Sequence, residues 1–544
     1  MTSIQFLLSV LLALLLPAVS EAAAGVDFMP LSKVKTGMKG KGRTVFSGTR
    51  PEEYDFEVLG IWHRESPGRD LIMVRCVGAT IERTGLIAGM SGSPMYVEGK
   101  LIGALSGGWA FSKEPVGVVT PIESMLAMLD GKSAPAEGAG GGGRSQLAPF
   151  ATPVFSSGIH PKALERFRPQ LSEWGLEPMA GSVVASGPST PTVQEAAARL
   201  EPGGSLCVPL IEGDLSMCAL GTLTCISGPN ILAFGHPMMG FGPVELPMAA
   251  AVVHAVVPSY AVSIKIGNST APVGTLTFDG RSGVMGRLGP LPSTCELEVR
   301  VGHAGAPSLR HARVARQAGL TPELLAMAAS SVVLNEVKSA GPMTVHSRIE
   351  VELPGGLKAR FVSAAATTDS PGEALSDLME PLALLLRNPF RSVTPLAARF
   401  DFEVDGEARL ATLDSIRINK PRFRPGETAE VTVTVRTYGG GLVSKTAPVK
   451  LPKDLEAAVA TIALLEGTRT PTSLYVRLGA GRDGASVGGR ELPELPGSVV
   501  SVLAAQGVTG VSKLAADLEV EVPFGRVVTG QESLPIEVLG DAQR

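Results

Sequence analysis

The stretch "GMSGSPMYVEGKLIGALSGG", residues 89–108, places two serines among glycines and a proline directly before a hydrophobic strand. Acyl transfer requires a serine oxygen held away from the backbone and peptide N–H groups that converge on the developing oxyanion. Tight glycine-rich turns supply this geometry. The pattern predicts Ser91 as a nucleophile, with the N–H groups of Gly89 and Ser91 as oxyanion donors. For a motif of this length, a purely structural turn is the alternative.

The strand after this turn ends in a second glycine-rich segment. "GKLIGALSGG" places Ser106, Gly107 and Gly108 about 15 residues after Ser91, the spacing at which chymotrypsin-like proteases offer a strand edge to their substrates. An extended peptide can pair with such an edge through its backbone. We therefore expect these three residues to bind the substrate.

At the level of longer segments, "TGLIAGMSGSPMYVEGKLIGAL" resembles the serine segment of the SpoIVB (stage IV sporulation protein B) peptidase family, serine endopeptidases with a trypsin-like fold. The family's other signature is a glycine-histidine pair at the end of a strand, which "NILAFGHPMMGFGPVELPM" provides at Gly235-His236. A segment similar to the family's, "GTLTFDGRSGVMG", follows.

This resemblance implies that His236 is the general base, and the chemistry agrees, because a histidine near neutrality can accept the Ser91 proton and return it to the leaving amine. His254 lies in an apolar run, which is typical of a hydrogen-bonded core residue. Family members carry the histidine before the serine, whereas here Ser91 precedes His236 by 145 residues. The two halves would then be permuted in chain order, which a triad defined by position in space permits.

The acidic member of the triad stays open in the sequence. The family has an aspartate about 15 residues before the serine, but "CVGATIERTG" offers only Glu82. Asp70 is the first choice because it opens a buried strand, as the trypsin-like aspartate does. Asp279 in "TFDGRSG" is the second, although Asp-Gly is also a common hairpin turn. A Ser–His dyad without an acid is the third.

Composition narrows the class of protein. The 544 residues are 44% hydrophobic and 18% charged, with a formal net charge of -4, so no basic field is present to attract nucleic acid. With 64 Gly and 42 Pro, the chain suits short strands joined by tight turns. Phosphate-binding loops, dinucleotide fingerprints and metal loops are not recognisable, so we infer no cofactor and no metal. The expected partner is a protein or peptide substrate.

The N-terminus indicates export. An apolar stretch of about 12 residues, ended by Pro17, has the length of a signal-peptide core, so residues 1–24 are predicted to be a signal peptide. Because Lys and Arg are missing before it, an uncleaved membrane anchor is the alternative. The apolar run from Leu246 is interrupted by polar residues and predicts buried core, which leaves no integral span in the mature chain.

Five cysteines fit an exported chain without defining a disulfide framework. Three of them cluster in "CVPLIEGDLSMCALGTLTC" without the spacing of a zinc site. A hairpin turn at residues 212–214 would bring Cys207 near Cys218, so a disulfide between them is the favoured hypothesis.

The resemblance and the strand patterns together predict a mainly β protein. Its core would be a trypsin-like double β-barrel, with the halves permuted, a few helices and a C-terminal β-sandwich-like domain. The expected segments are a β-rich serine half at 25–130, a Gly/Ala-rich linker at 131–146, a mixed segment with the histidine half at 147–302, a helical segment at 303–397 and the C-terminal domain at 398–544. Helices are expected to begin at Thr321-Pro322 and at Ser370-Pro371.

The leading hypothesis is an exported serine endopeptidase of narrow specificity, located in the periplasm, at the cell surface or outside the cell. A catalytically inactive binding or scaffold protein of the same fold is the alternative, favoured by the missing acid. A Ser/Lys hydrolase built on Ser32 and Lys35 has the right spacing but no helix to present it. Self-cleavage in the glycine linker, at residues 138–143, also stays open.

Overall fold

The computed structural model describes residues 25–66, 69–132, 148–149, 151–179, 192–303, 305, 307–338, 340–387, 393–451 and 453, and C-terminal strands within 459–538. The predicted signal peptide, most of the predicted linker and the proposed self-cleavage segment lie outside these residues. The chain divides into two compact units. The first contains Met1–Ser157, Arg168–Leu210 and Ser216–Ser293; the second contains Gly158–Phe167, Ile211–Leu215 and Thr294–Arg544.

The first unit begins with a closed antiparallel barrel of six strands. Its strands and two short neighbours are β1 (Lys39–Thr44), β2 (Glu52–Ser66), β3 (Arg69–Val77), β4 (Ile87–Ala88), β5 (Pro94–Val97), β6 (Lys100–Gly108), β7 (Val116–Pro121) and β8 (Ala148–Pro149). The order β5-β1-β2-β3-β7-β6 closes because β6 pairs with β5. Alternating strand residues such as Phe56, Ile72 and Val119 fill the interior, together with Met90 from the serine turn.

A second ring of strands follows in the same unit. Its members and neighbours are β9 (Thr152–Ser157), β10 (Leu176–Met179), β11 (Ser205–Gly213), β12 (Ser216–Ser227), β13 (Asn230–Ala233), β14 (Gly242–Val257), β15 (Ser263–Gly280) and β16 (Gly283–Leu288). The order β12-β13-β16-β15-β14-β11 closes because β12 also pairs with β11. The prediction of a mainly β chain with a double-barrel-like core is confirmed. The apolar run from Leu246 lies in strand β14 as far as Val257, and the residues that follow, such as Tyr260, are exposed rather than part of the predicted core.

The β11–β12 hairpin brings the clustered cysteines together. The sulfurs of Cys207 and Cys218 lie 3.3 Å apart in hydrogen-bond contact. Both side chains are buried, and the structure holds them as thiols rather than as the expected disulfide. The predicted proximity is present, and the covalent bond stays a prediction.

The second unit carries the remaining strands. They are β17 (Thr294–Gly302), β18 (Ser308–Ala315), β19 (Met343–Leu353), β20 (Leu357–Thr367), β21 (Ala397–Asp405), β22 (Leu410–Ile418), β23 (Arg422–Phe423), β24 (Thr428–Thr437), β25 (Leu442–Lys450), β26 (Val459–Glu466), β27 (Ser473–Gly479), β28 (Ser486–Val487), β29 (Arg490–Glu491), β30 (Glu519–Pro523), β31 (Val527–Thr529) and β32 (Glu532–Val538). The order β18-β17-β21-β19-β20 forms one sheet, and four- and five-stranded sheets follow.

The described residues contain a short 3-10 helix at Leu31–Lys33 and six α-helices: α1 (Ala79–Thr84), α2 (Ile122–Leu126), α3 (Pro161–Glu173), α4 (Val193–Ala198), α5 (Thr321–Glu336) and α6 (Pro371–Leu386). The helical segment predicted at 303–397 contains α5 and α6 but also the three strands β18, β19 and β20, which were not predicted. Thr321, expected as the cap, is the first residue of α5, and its hydroxyl donates to Ala315 O. Within the described residues, no helix has the length and apolarity needed to cross a membrane.

Candidate active site

The serine turn joins β4 to β5 and is hydrogen-bonded to strand β12 of the second barrel. Gly89 and Gly92 both adopt φ of 96°, a backbone conformation that favours glycine. The turn's carbonyls accept three hydrogen bonds from β12: Gly89 O from Thr222 Oγ1 at 2.8 Å, Ser91 O from Thr222 N at 2.8 Å, and Gly92 O from Thr224 Oγ1 at 2.7 Å. The position of Ser91 is therefore set by both barrels.

The two serines of the turn have different environments. Ser93 Oγ donates to Met90 O at 2.6 Å, which makes it part of the turn's own hydrogen bonding. Ser91 Oγ is fully buried and has no hydrogen-bond partner among the described residues. Because a buried hydroxyl without a partner is unfavourable, such atoms in a native fold are typical of functional positions. Ser91 is thus the serine with an available oxygen.

Three N–H groups of the turn form backbone hydrogen bonds. Those of Met90, Gly92 and Ser93 donate to the carbonyls of Ile87, Leu105 and Met90. These three groups are therefore engaged in holding the turn together. The oxyanion role of the Gly89 and Ser91 N–H groups stays a prediction.

The histidine follows β13 in a sharp turn that packs against the serine turn and β6. Phe234 and Gly235 have φ of 68° and 69°, which turns the chain sharply before His236. A side chain on Gly92 would come within 2.5 Å of Phe234 N, and a side chain on Gly235 within 3.0 Å of Ala104 Cβ. These close approaches bring the serine turn and the histidine turn to one place between the barrels.

The hydrogen bond of the His236 ring defines its tautomer. Nδ1 lies 2.7 Å from the carbonyl oxygen of Pro237, which can only accept, so Nδ1 carries the proton and Nε2 has the free lone pair. Nε2 is buried and has no partner among the residues that the structure describes. It is therefore not hydrogen-bonded to Ser91 Oγ, a contact that in enzymes without substrate is often long. The tautomer is the one that a general base requires.

Burial lowers the pKa of His236 to about 4. The Pro237 carbonyl opposes this shift by stabilising the protonated ring, and the positive charge of Arg69 adds to it. The imidazole is consequently neutral at pH 7, which is the form that accepts a proton.

The structure does not bring Asp70, the first choice for the acid, to His236. One carboxylate oxygen of Asp70 accepts from Arg64 N at 2.9 Å, and the other lies 3.3 Å from His63 Nδ1. These contacts lower the pKa of Asp70, whose side chain is 36% exposed. Because strand residues alternate between faces, an acid at the start of a strand need not point into the barrel junction.

Asp279, the second choice, acts on the backbone after the histidine instead. Its fully buried carboxylate accepts the N–H groups of Met238, Met239 and Gly240 at 2.7–2.8 Å. Burial raises its pKa, and the bonds from the loop oppose that rise. Asp279 thus holds the loop that follows His236 and Pro237, and the group in contact with Nδ1 is the Pro237 carbonyl.

The predicted substrate strand lies at the end of β6. Ser106 is buried; its Oγ donates to Val118 O at 3.3 Å and lies 3.0 Å from Thr120 Oγ1, which donates to Gly235 O at 2.6 Å. Gly107 and Gly108 pair with Val118 and Gly117 of β7 on one side. The side chain of Ser106 therefore links the strand to the histidine turn, and any role in substrate binding would fall to its backbone.

Several residues of this site were not found by sequence reasoning. Lys265 of β15 is fully buried behind Gly89, with its Nζ 2.6 Å from Thr44 Oγ1, and burial lowers its pKa to about 7. Thr120, Thr222 and Thr224 anchor the two turns, yet threonine is common in strands and gives no signal there. His254, expected as a hydrogen-bonded core residue, has an Nε2 without a partner in the described part of the chain.

Comparison with known proteins shows which family part of the chain resembles. Residues 22–126 match the SpoIVB peptidase S55 family. The matched segment contains the first barrel and the serine turn, and it ends well before His236. The resemblance carried by the serine segment is thus confirmed, and it indicates a peptidase. No curated protein and no solved structure matches the chain.

Proposed function

We propose that this protein is a serine endopeptidase in which Ser91 attacks the peptide carbonyl and His236 Nε2 accepts its proton. The proposal is carried by one observation. Ser91, in the segment that matches a peptidase family, has an available oxygen, and the turn that carries His236, whose lone pair is on Nε2, packs against the serine turn at Gly92 and Phe234. Pro237 O would then stabilise the imidazolium that forms when the proton moves.

The order of steps follows from these groups. Ser91 Oγ bonds to the carbonyl carbon as its proton passes to Nε2, and the oxyanion is held by the Gly89 and Ser91 N–H groups. His236 then protonates the leaving amine, and water attacks the acyl-enzyme with His236 again as the base.

Export and narrow specificity belong to the same proposal. The apolar N-terminal stretch supports secretion to the periplasm, the cell surface or the medium. The buried position of Ser91 supports narrow specificity, because a substrate must gain access to a serine that has no exposed surface. N-terminal sequencing of the exported protein should locate cleavage near residue 24.

Fluorophosphonate labelling of the purified protein tests the chemistry. We expect covalent labelling at Ser91, mapped by mass spectrometry, and its loss in Ser91→Ala and His236→Ala. Ser93→Ala is the matched control, since Ser93 is two residues away and its Oγ is engaged by Met90 O. Labelling of a different serine, or none while a control protease reacts, would reject the proposal.

A catalytically inactive scaffold is the second candidate. It is favoured by the missing hydrogen bond between Ser91 Oγ and His236 Nε2 and by the full burial of both side chains. An unlabelled protein that nevertheless binds peptides would support it.

A further inference from the structure

One edge of β6 carries the serine turn and then strand β8. Leu105 N donates to Ser93 O at 3.0 Å, and Gly92 N donates to Leu105 O at 2.8 Å. Immediately after this point, Gly107 and Gly108 pair with β8. Since β7 occupies the opposite edge of the same two glycines, β8 must lie on the edge that bears the serine turn.

The register of β8 defines its hydrogen bonds. Gly107 is opposite Pro149 and Gly108 is opposite Ala148, in antiparallel orientation. Antiparallel pairs alternate between those that exchange two hydrogen bonds and those that exchange none. Pro149 has no N–H, so the exchanging pair is Gly108 and Ala148. The Ala148 N–H is therefore the donor on which this pairing depends.

We propose that the β6 edge at Gly107–Gly108 is the binding site for an extended peptide, and that Ala148–Pro149 of the same chain is its resident occupant. This inference rests on the proposed function. A substrate strand paired with these glycines would run past the serine turn, because both lie on one edge of β6. Residues 148–149 thus compete with substrate for the site.

The strength of this competitor comes from its tether. A two-residue strand makes few hydrogen bonds and would pair weakly as a separate peptide. Attached to the same chain, it is present at an effective concentration in the millimolar range. A longer substrate that forms more backbone hydrogen bonds can therefore displace it, whereas short peptides cannot.

Binding in trans tests the site without using catalysis. In the Ser91→Ala background, a fluorescein-labelled peptide of residues 145–151, SQLAPFA, is titrated with the full chain and its anisotropy measured. Ala148→Pro removes the donor of the resident strand, so the peptide should bind about fivefold more tightly, equivalent to about 1 kcal/mol for one hydrogen bond. Ala148→Ser keeps the N–H and should bind the peptide as the parent does.

A second peptide tests the same hydrogen bond without altering the protein, so the result does not depend on whether the proline variant folds. SQLAPFA with an N-methyl group on the alanine before the proline, the counterpart of Ala148, lacks the same donor. At high peptide concentration it should therefore bind the chain with an unaltered Ala148 more weakly than the unmodified peptide does. Equal binding by the two peptides, or equal affinity of the Ala148→Pro and Ala148→Ser proteins, overturns the proposal.

Labelling of chains with Ser91 intact separates this inference from the proposed function. A peptidyl phosphonate carrying Gln-Leu-Ala should label Ala148→Pro about fivefold faster than the unaltered chain, while a small fluorophosphonate, which needs no strand edge, should label both at similar rates. If neither probe labels Ser91 but SQLAPFA binding still responds to Ala148→Pro, the peptidase function fails and the peptide site stands. If both probes label but neither the labelling nor the binding responds, the function stands and the resident strand is rejected.

Discussion

At His236, a backbone carbonyl lies beside Nδ1, where a Ser-His-Asp triad has a carboxylate. The Pro237 carbonyl fixes the tautomer by accepting the Nδ1 proton, but it brings no negative charge to stabilise the imidazolium. Burial therefore dominates, and the pKa of His236 falls to about 4 rather than rising. The ring is therefore neutral over a wide pH range, and in the proposed mechanism it would gain a proton only as Ser91 attacks the substrate.

The pH dependence of Ser91 labelling follows from this environment. Labelling requires neutral His236, and because its pKa is lowered, the rate should stay constant down to about pH 5 and fall towards pH 4. The measurement is the fluorophosphonate labelling rate from pH 4 to 8, with circular dichroism at each pH to verify that the chain is folded. A midpoint at or above pH 6.5 would show that the ring is solvated or paired with an acid.

The two aspartates that the sequence offered should behave differently on amide substitution. Asp279→Asn places an NH2 group among three N–H donors, so the loop holding His236 shifts and labelling should fall at least about tenfold. Asp70→Asn alters an exposed pair with His63 and should leave the rate within about twofold. Labelling rates and the pH midpoints of both variants are the measurements. A larger effect from Asp70→Asn would return it to the role of triad acid.

At the scale of the elements, the backbone of β12 and the turn after β13 approach the serine turn so closely that they restrict which residue can occupy position 92. A Cβ on Gly92 would collide with Thr222 O and Phe234 N, both backbone atoms that cannot move independently. The turn therefore accepts glycine alone at this position, for steric reasons as well as for its positive φ.

Alanine substitutions at two glycines separate these reasons. Gly92→Ala should lower the free energy of unfolding by about 3 kcal/mol or more and abolish labelling, since strain and collision add. Gly99→Ala has a similar φ of 77° but open space around it, so it should cost about 1 kcal/mol from strain alone. Urea unfolding measures both. Equal losses would show that the collision is relieved by small movements of β12.

The sequence predicted local chemistry better than it predicted partners across the junction. The serine turn was recognisable because glycines at fixed positions mark sharp turns, whereas Gly235-His236 was found through the resemblance to the SpoIVB peptidase family. Asp70 was chosen by its place before a strand, but which face a residue points to is decided by register, and register is set by pairing. Asp279 was seen as a hairpin residue, and its contact with a loop 40 residues away has no local signature. Lys265 has no local sequence signature either, because the hydroxyl that accepts its hydrogen bond, on Thr44 of β1, is 221 residues away.

Across the whole molecule, the titratable groups of the site are concentrated where the two barrels of the first unit meet. His236, Asp279 and Lys265 are all at most 1% exposed. Removing a charge from water is unfavourable unless the charge is fully paired. Burying these groups between the barrels therefore lowers the free energy of unfolding. The pH dependence of stability should therefore be dominated by these few groups.

Lys265 gives the clearest test. Its pKa falls from 10.5 to about 7 on folding, so between those values the unfolded chain binds more protons and stability rises with pH. Below pH 7 the full penalty is present. Lys265→Met keeps the volume and removes the charge, so it should stabilise the protein by about 3 kcal/mol at pH 6, after allowance for the Thr44 hydroxyl left without its partner.

That advantage should shrink as the pH rises from 6 to 8.5, because the wild-type lysine becomes neutral over this range. The measurement stops there because burial raises the pKa of the Cys76 and Cys225 thiols to about 12, which makes stability fall once unfolded thiols ionise near pH 9. Lys41→Met is the control, since Lys41 is exposed and paired with Asp55 at the surface, and it should change the unfolding free energy little. Stabilisation by Lys265→Met that is constant over pH 6–8.5 would mean that Lys265 keeps its proton in the fold, held by water or by an acid that reaches the junction.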